Sequence, residues 1–477
     1  MKKISLIASA VSILFAQAAW ALPSAQDRVY TADQNSNTVT VINPATNTLV
    51  GQIRLGNPRP DVLSPLYKGQ INVHGMGFSP DHKTLLVISN GSNSVTFIDT
   101  ATNRVKGITY VGRSPHEGFF SADGKEVWVV VRGEDYISVI DPVSFKETRR
   151  IQTGVGPGMV QFMPDGKLAF AVSSFTPQVD VIDVQTHQVV KKIDVVSPFS
   201  PFLQFTPDYK EMWMTHKDVG KVTRIDTKTL EVIGVIDTGF ITNHLAFAKV
   251  DGKVLAYVTI GGENVVKAFT TDKAAKLVAT IPTGALPHGI WTADDSSRIY
   301  VGLENGDGVE VIDPAGNKVI AHVGGGQAPQ ALVYLSHVVG ADDGTANLVA
   351  RVNSDPLNIR LQPVVQSAAQ STAQSSDLAR GFVVSRNLGV IDALEVSLFK
   401  LKPQTTYSVY LDGQPAPVAR FVTDAKGVAN GTAIGPLREP ATSAAPGVSA
   451  AAGAGRIIVM EGNQPADAAR AVLVEAK

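Results

Sequence analysis

The sequence predicts an all-β fold: a seven-bladed β-propeller closed by strands from both ends of its repeat array, followed by a small antiparallel β-sandwich. Three observations carry this. A hairpin-turn aspartate recurs as Asp81, Asp123, Asp165, Asp208, Asp251 and Asp295, about 42–44 residues apart, the size of a four-stranded blade. Each turn is followed by an apolar strand and then by a strand ending in Ile-Asp or its like, as in LLVIS with VTFIDT and EVWVVV with ISVIDP. The array opens with three strands, Val29–Ala32, Thr38–Ile42 and Thr48–Ile53, and ends with one, Gln330–Leu335. One and three make a blade. With six internal blades, this composite closes a ring of seven that leaves few free edges.

The stretch Ser114–Gly154 is the clearest copy, with strands at His116–Ser121, Glu126–Val131, Tyr136–Ile140 and Lys146–Gln152. Asp123-Gly124 joins the first two because that dipeptide tolerates the positive φ of a tight hairpin. Asp141-Pro142 starts the turn between the last two, combining a side-chain acceptor with a fixed φ. Val, Ile, Trp and Tyr fill the strands, as a pleated, buried surface requires. A single meander cannot bury both of its faces, so each unit needs a neighbour on either side. Lys267–Asp272 is the weakest copy of the Ile-Asp strand. One insertion breaks the period: Asn57–Asn72, NPRPDVLSPLYKGQIN, is stiffened by three prolines and feeds directly into His74. Long loops on a rigid scaffold often carry function, and this one is expected to cover the mouth of the channel.

The recurring pattern V-x-V-I-D-x-x-T/S-x-x-V…G-x-x-P-H-G-x-x-F-S-P-D-G-K-x-x-Y-V is similar to the YVTN-type, YncE-like seven-bladed β-propeller family over roughly Asp27–Val338. The resemblance implies the fold. It implies no single activity, because such propellers serve as surface proteins, binding proteins and enzymes.

After Val338 the pattern changes. Strands are expected at Ala346–Arg351, Leu357–Val365, Ala379–Ser385, Ala393–Phe399, Tyr407–Leu411, Arg420–Thr423, Gly427–Ile434, Arg456–Met460 and Ala471–Glu475. Low-complexity loops fall at 366–377 and 440–455. Alternating strands punctuated by glycine read as a sandwich. The chain thus divides into a leader (1–21), the propeller (22–340) and the sandwich (341–477). The phrase LKPQTTYSVYLDG resembles extracellular sandwich modules; with no catalytic constellation in this region, a docking role toward a protein or glycan, or a stabilising one, is expected.

Lys2 and Lys3, the apolar Ile4–Ala16 and the small-x-small site Ala19-Trp20-Ala21 have the form of a cleavable signal peptide. A mature chain is expected from near Leu22, in a periplasm or outside the cell. The apolar run is too short to span a membrane as a helix, and no later run is long enough. With no cysteine, disulfides, covalent c-type haem and iron–sulfur clusters are excluded. A formal net charge of −1 argues against nucleic acid as a partner, which calls for a basic face.

Counting back seven residues from each turn aspartate gives a column: His74, His116, Gly158, Pro201, His244 and His288, with Gln330 in the closing strand. This position starts the innermost strand, so the column rings one mouth of the central channel. His216, in WMTHKD, ends a second strand on the same face. Imidazoles converging without cysteine suit zinc or copper, since neutral imidazole offers a lone pair near physiological pH. His74, His116, His244, His288 and His216 are the candidate metal ligands. Gln330, Glu117, Glu263, Arg113 and Arg132 are candidates for contacting a ligand, the two glutamates also as supports to a metal. The same column suits a structural role, in which each histidine bonds between blades. His82, His187, His322 and His337 read as structural, and Trp128, Trp213 and Trp291 as blade core. No nucleophile-elbow, zincin or EF-hand spacing is present, and no catalytic residue is assigned.

The first functional expectation is a secreted binding protein that holds a transition metal or small ligand at the histidine mouth. An enzyme at that mouth, such as a lactonase or metal-dependent oxidoreductase, is the second. A protein-interaction scaffold is the third.

Overall fold

A computed structural model describes residues 23–56, 72–351, 356–364, 378–387, 392–411, 414–435 and 457–476. The leader, both low-complexity loops and all but the last residue of the Asn57–Asn72 insertion lie outside the described residues.

Seven four-stranded antiparallel sheets form the ring. Blade 1 is the composite: Pro329–Leu335 is innermost, followed outward by Arg28–Asp33, Thr38–Asn43 and Thr48–Arg54. Its seam pairs Val29 with Tyr334 and Thr31 with Leu332. Asp27 fastens it, accepting from the Tyr334 hydroxyl at 2.5 Å and from the His337 N–H at 2.9 Å. Blades 2 to 7 start from innermost strands Val73–Phe78, Pro115–Phe120, Pro157–Phe162, Leu203–Phe205, Thr242–Val250 and Pro287–Thr292.

Burial follows position in the blade. Thr84–Ser89, a second strand, is wholly buried, whereas the outermost Lys146–Gln152 buries only Ile151. Middle strands are therefore continuous runs of Val, Ile, Phe and Trp, and outer strands carry Lys, Arg and Glu on their open face. The turn aspartates act locally. Asp123 accepts from Ser121 Oγ at 2.8 Å and the Lys125 N–H at 3.1 Å, while Gly124 takes φ +72°.

The C-terminal strands form one eight-stranded antiparallel sheet. Its order is Ala419–Val422, Thr406–Leu411, Ile457–Glu461, Leu473–Glu475, Leu357–Pro363, Arg380–Asn387, Asp392–Phe399 and Ala429–Gly435. The sheet curls so far that Phe421, near one end, packs directly on Gly431 at the other. The result is sandwich-like, around a core of Val383, Leu398, Val409, Val459 and Leu473. One expected strand differs. Ala346–Arg351 is a short 3₁₀ turn, Thr345–Asn347, followed by a single bridge between Val349 and Gln52. This connector runs along the outer edge of blade 1, and only Val349 meets a ladder, exchanging both backbone hydrogen bonds with Gln52 at 2.9 and 2.8 Å.

Candidate ligand site at the channel mouth

Four of the column histidines stand at the starts of innermost strands as two close pairs. His74 and His116, on blades 2 and 3, have ring centroids 4.4 Å apart, and His244 and His288, on blades 6 and 7, are 4.7 Å apart. Three of the four are fastened through Nδ1 to a neighbouring blade. His116 Nδ1 donates to the Gly158 carbonyl at 2.6 Å, and His288 Nδ1 to the Gln330 carbonyl at 2.8 Å. His74 Nδ1 bonds Gln34 Oε1 at 2.8 Å. A carbonyl accepts only, so Nδ1 of His116 and His288 carries the proton and Nε2 keeps its lone pair. His244 stacks on Phe202 at 4.1 Å, and its buried Nε2 has no hydrogen-bond partner. His216 turns inward, bonding Thr223 Oγ1 at 2.7 Å and Ser200 Oγ at 3.1 Å.

A second column, absent from the sequence reading except for Arg132, completes this mouth. The residue following each second strand is Gln34, Asn90, Arg132, Ser174, Lys217, Gly261 or Glu304. Lys217, on blade 5, acts electrostatically on His74, His244 and His288, and its backbone N–H bonds the Phe199 carbonyl at 3.1 Å. Arg132, on blade 3, acts on His74 and His116 and lies over the rings of Phe175 and Phe199 at 5.7 and 5.4 Å. Among the described residues neither cation forms an ion pair or side-chain hydrogen bond. Glu304 Oε2 stands 4.0 Å from His288 Nε2, buried and without a hydrogen bond.

Burial sets the protonation states. It pushes His74 down to about 3, with Arg132 and Lys217 adding to the effect, and His216 down to about 4. It holds His116, His244 and His288 well below the usual imidazole range. The imidazoles are therefore neutral at physiological pH. Lys217 is lowered by burial, opposed by Glu304 and aided by Arg132.

Glu117 is placed beneath the mouth. It is 2 % exposed, accepts from the Met76 N–H at 3.0 Å, and is raised well above the carboxylate range by burial. Gly75 makes room for it: a Cβ there would lie 2.0 Å from the His116 carbonyl oxygen and 2.8 Å from Glu117 Oε2. Gln330 contributes its carbonyl to His288 rather than its amide to the channel. Two candidates fall elsewhere. Glu263 is exposed and paired with Lys267 at 2.7 Å, and Arg113 is exposed and paired with Glu134 at 3.6 Å.

The C-terminal domain sits over this same end. Arg386, 1 % exposed, grips the fully buried Asp307 of blade 7 through Nε and Nη2 at 3.0–3.1 Å, and bonds the Glu304 carbonyl at 2.9 Å. It also pairs with Glu395, which accepts from Asn35 of blade 1 at 2.7 Å. Phe399 meets Phe240 edge-on at 5.1 Å, and Lys426 pairs with Asp218 at 3.8 Å. Asp218 and Glu304 are respectively the neighbour of Lys217 and a member of the second column, so docking and mouth share the same loops.

The profile of the YNCE-like beta-propeller family matches residues 115–404. The chain belongs to that family. This YNCE-like propeller is similar in structure to Kuenenia stuttgartiensis hydrazine synthase, with a TM-score of 0.52 and 22 % identity over 56 % of this chain and 90 % of that one. It is also similar to a functionally unknown protein from Desulfotomaculum acetoxidans DSM 771, with a TM-score of 0.55 and 14 % identity over 65 % of this chain and 99 % of that one. At such identities the likeness is one of fold. No curated protein matches the chain in sequence.

The sequence suggests a transition metal at the mouth of this YNCE-like propeller. Among the described residues no three or more His, Asp or Glu side chains are arranged to hold one. Nδ1 is engaged on three of the four column histidines, which leaves Nε2 of His116 and His288 available, while two cations share the mouth, where low dielectric strengthens their repulsion of a metal ion.

Proposed function

We propose that this is an exported binding protein whose histidine mouth holds a small hydroxylated carboxylate, such as a sugar acid. The observation that supports the reading most directly is the convergence of Arg132 and Lys217, neither of them paired, on a mouth of neutral imidazoles. A guanidinium presents a planar fork that matches a carboxylate, and an ammonium adds a point charge. The Nε2 lone pairs of His116 and His288 accept from hydroxyl groups, which a ligand that was merely anionic would lack. A mouth of this kind, walled by a rigid ring, needs little ordering to bind. The leader-like Met1–Ala21 supports export, and N-terminal sequencing of the mature protein is expected to begin at Leu22.

Calorimetry with D-gluconate, hexanoate and zinc chloride tests the reading. Gluconate should bind saturably, hexanoate more weakly, and Arg132→Gln or Lys217→Gln should weaken gluconate at least about tenfold. Absence of gluconate binding, or binding unaltered in the double variant, would overturn it. Stoichiometric zinc binding that disappears in His74→Ala/His288→Ala would install the metal reading instead.

A further inference from the structure

The opposite mouth of the channel is written by a third column, three residues beyond the histidine position. On blades 3 to 7 it reads Phe119, Gln161, Gln204, Phe247 and Trp291. These five line an open bowl of about 730 Å³, within the size range of small-molecule sites. Repetition and core packing account for apolar residues here, but not for the two adjacent amides. An amide set among aromatic side chains loses water unless a partner replaces it.

Gln161, 9 % exposed, donates through Nε2 to Gln204 Oε1 at 3.1 Å. That bond uses one N–H of the first residue and the carbonyl of the second. Among the described residues, the Gln161 carbonyl and the Gln204 amide nitrogen have no hydrogen-bond partner. Side by side, they present one acceptor and one donor.

Trp291 supports a ligand rather than a purely structural role. Trp128 and Trp213 are 0 % exposed within blades, and both tie their indole N–H to glutamates, Glu126 and Glu211, at 2.8 Å. Trp291 instead stays partly exposed on the bowl wall and packs edge-on against Phe78 at 5.8 Å. The charged side chains at the bowl, Lys249 and Asp294, are of opposite sign, so the rim selects for neither anion nor cation.

The geometry points to a second binding site, for a neutral planar aromatic compound with a lactam-like edge. The ligand's N–H donates to Gln161 Oε1, its carbonyl accepts from Gln204 Nε2, and its ring packs against Phe119, Phe247 and Trp291. This site is independent of the carboxylate mouth and of the reading proposed for it.

The probe is 2-quinolinone, titrated into the full chain by calorimetry and by Trp291 fluorescence. Saturable binding below about 1 mM is expected. Gln204→Leu, and replacement of the probe by its N-methyl derivative, should each weaken binding about five- to tenfold by removing one hydrogen bond. Phe247→Ala should weaken it further, and Lys217→Gln should leave it unchanged. Should Gln204→Leu not fold, the N-methyl comparison on the unmodified protein still reads the companion bond, from the ligand N–H to Gln161 Oε1. Absence of saturable binding would overturn the assignment, as would equal affinity for the two probes or unchanged affinity in a folded Gln204→Leu protein.

Discussion

The two ends of the channel are built by the same innermost strands, three residues apart, and share almost no chemistry. At one end His116 and His288 bond across blades and two cations, Arg132 and Lys217, enter from the following loops. At the other, Phe119 and Trp291 on those same strands form the wall of an open bowl. The first end lies beneath the C-terminal domain, and among the described residues the second has no such cover. What the repeat dictates is the position of each column. The chemistry comes from departures from the repeat: Lys217 where blade 6 has Gly261, and Gln161 where blade 3 has Phe119.

The strongest way to break this contrast is to uncover the first mouth. Asp307→Ala leaves Arg386 buried against only one carboxylate, and removing one member of such a pair costs about 3–5 kcal/mol. Urea denaturation should show the loss, and limited proteolysis should release the C-terminal domain. The double variant Asp307→Leu/Arg386→Met should recover part of that stability, because neither charge of the buried Asp307–Arg386 pair remains, although Glu395 loses its ion pair.

Tryptophan substitutions separate blade interior from bowl. Trp128→Ala, inside a blade, should destabilise by about 3–5 kcal/mol, and Trp291→Ala by under about half of that. Equal losses in thermal melts would mean that Trp291 is core after all.

The buried imidazoles give the histidine end a pH signature. Their folded-state affinity for protons is depressed, so the unfolded chain protonates first, and their stabilisation is present above about pH 6.5 and lost as pH falls toward about 4. Asp33, raised to about 7 by burial despite its bonds from Thr31, Thr40 and Thr38, runs the other way, as does Glu117. Stability from those acids is present at low pH and lost as pH rises through their folded values. Comparing His74→Gln with the parent isolates one term: the variant's stability should fall less steeply, by about 1.4 kcal/mol per pH unit, between about pH 6.5 and 4. The smallest effect is expected at the rim, where Arg113→Ala should change stability by under about 1 kcal/mol and leave gluconate binding intact.

Much of this was legible in the sequence. The turn aspartates, the Ile-Asp strands and the split first blade locate all seven sheets, because a period near 42 residues and a missing inner strand admit few closures. The histidine column was legible for the same reason. Lys217 and Glu304 were not, because they lie in a column read from the ends of second strands, which no turn residue marks. Arg386 was invisible as well. Its partner Asp307 is far away in sequence, and only the docking of two domains brings them together. Trp291 read as core because it lies in a strand of the repeat, as Trp128 does, and only the channel geometry distinguishes a blade interior from a bowl wall.

The composite first blade has a consequence for how the molecule comes into being. Arg28 finds Leu335 only after nearly the whole ring has been made. Closing so long a loop is cheap in entropy, because the cost grows only with the logarithm of length, but such pairings form late. Pro329 is the immediate neighbour of Ala328, whose N–H bonds Asp307 at 2.8 Å, so the seam also sets the seat for Arg386. Ring closure therefore comes before domain docking, and the histidine mouth gains its cover last. An unfolding intermediate should lose these features in reverse order, with the cover leaving first and the seam between Arg28–Asp33 and Pro329–Leu335 opening next.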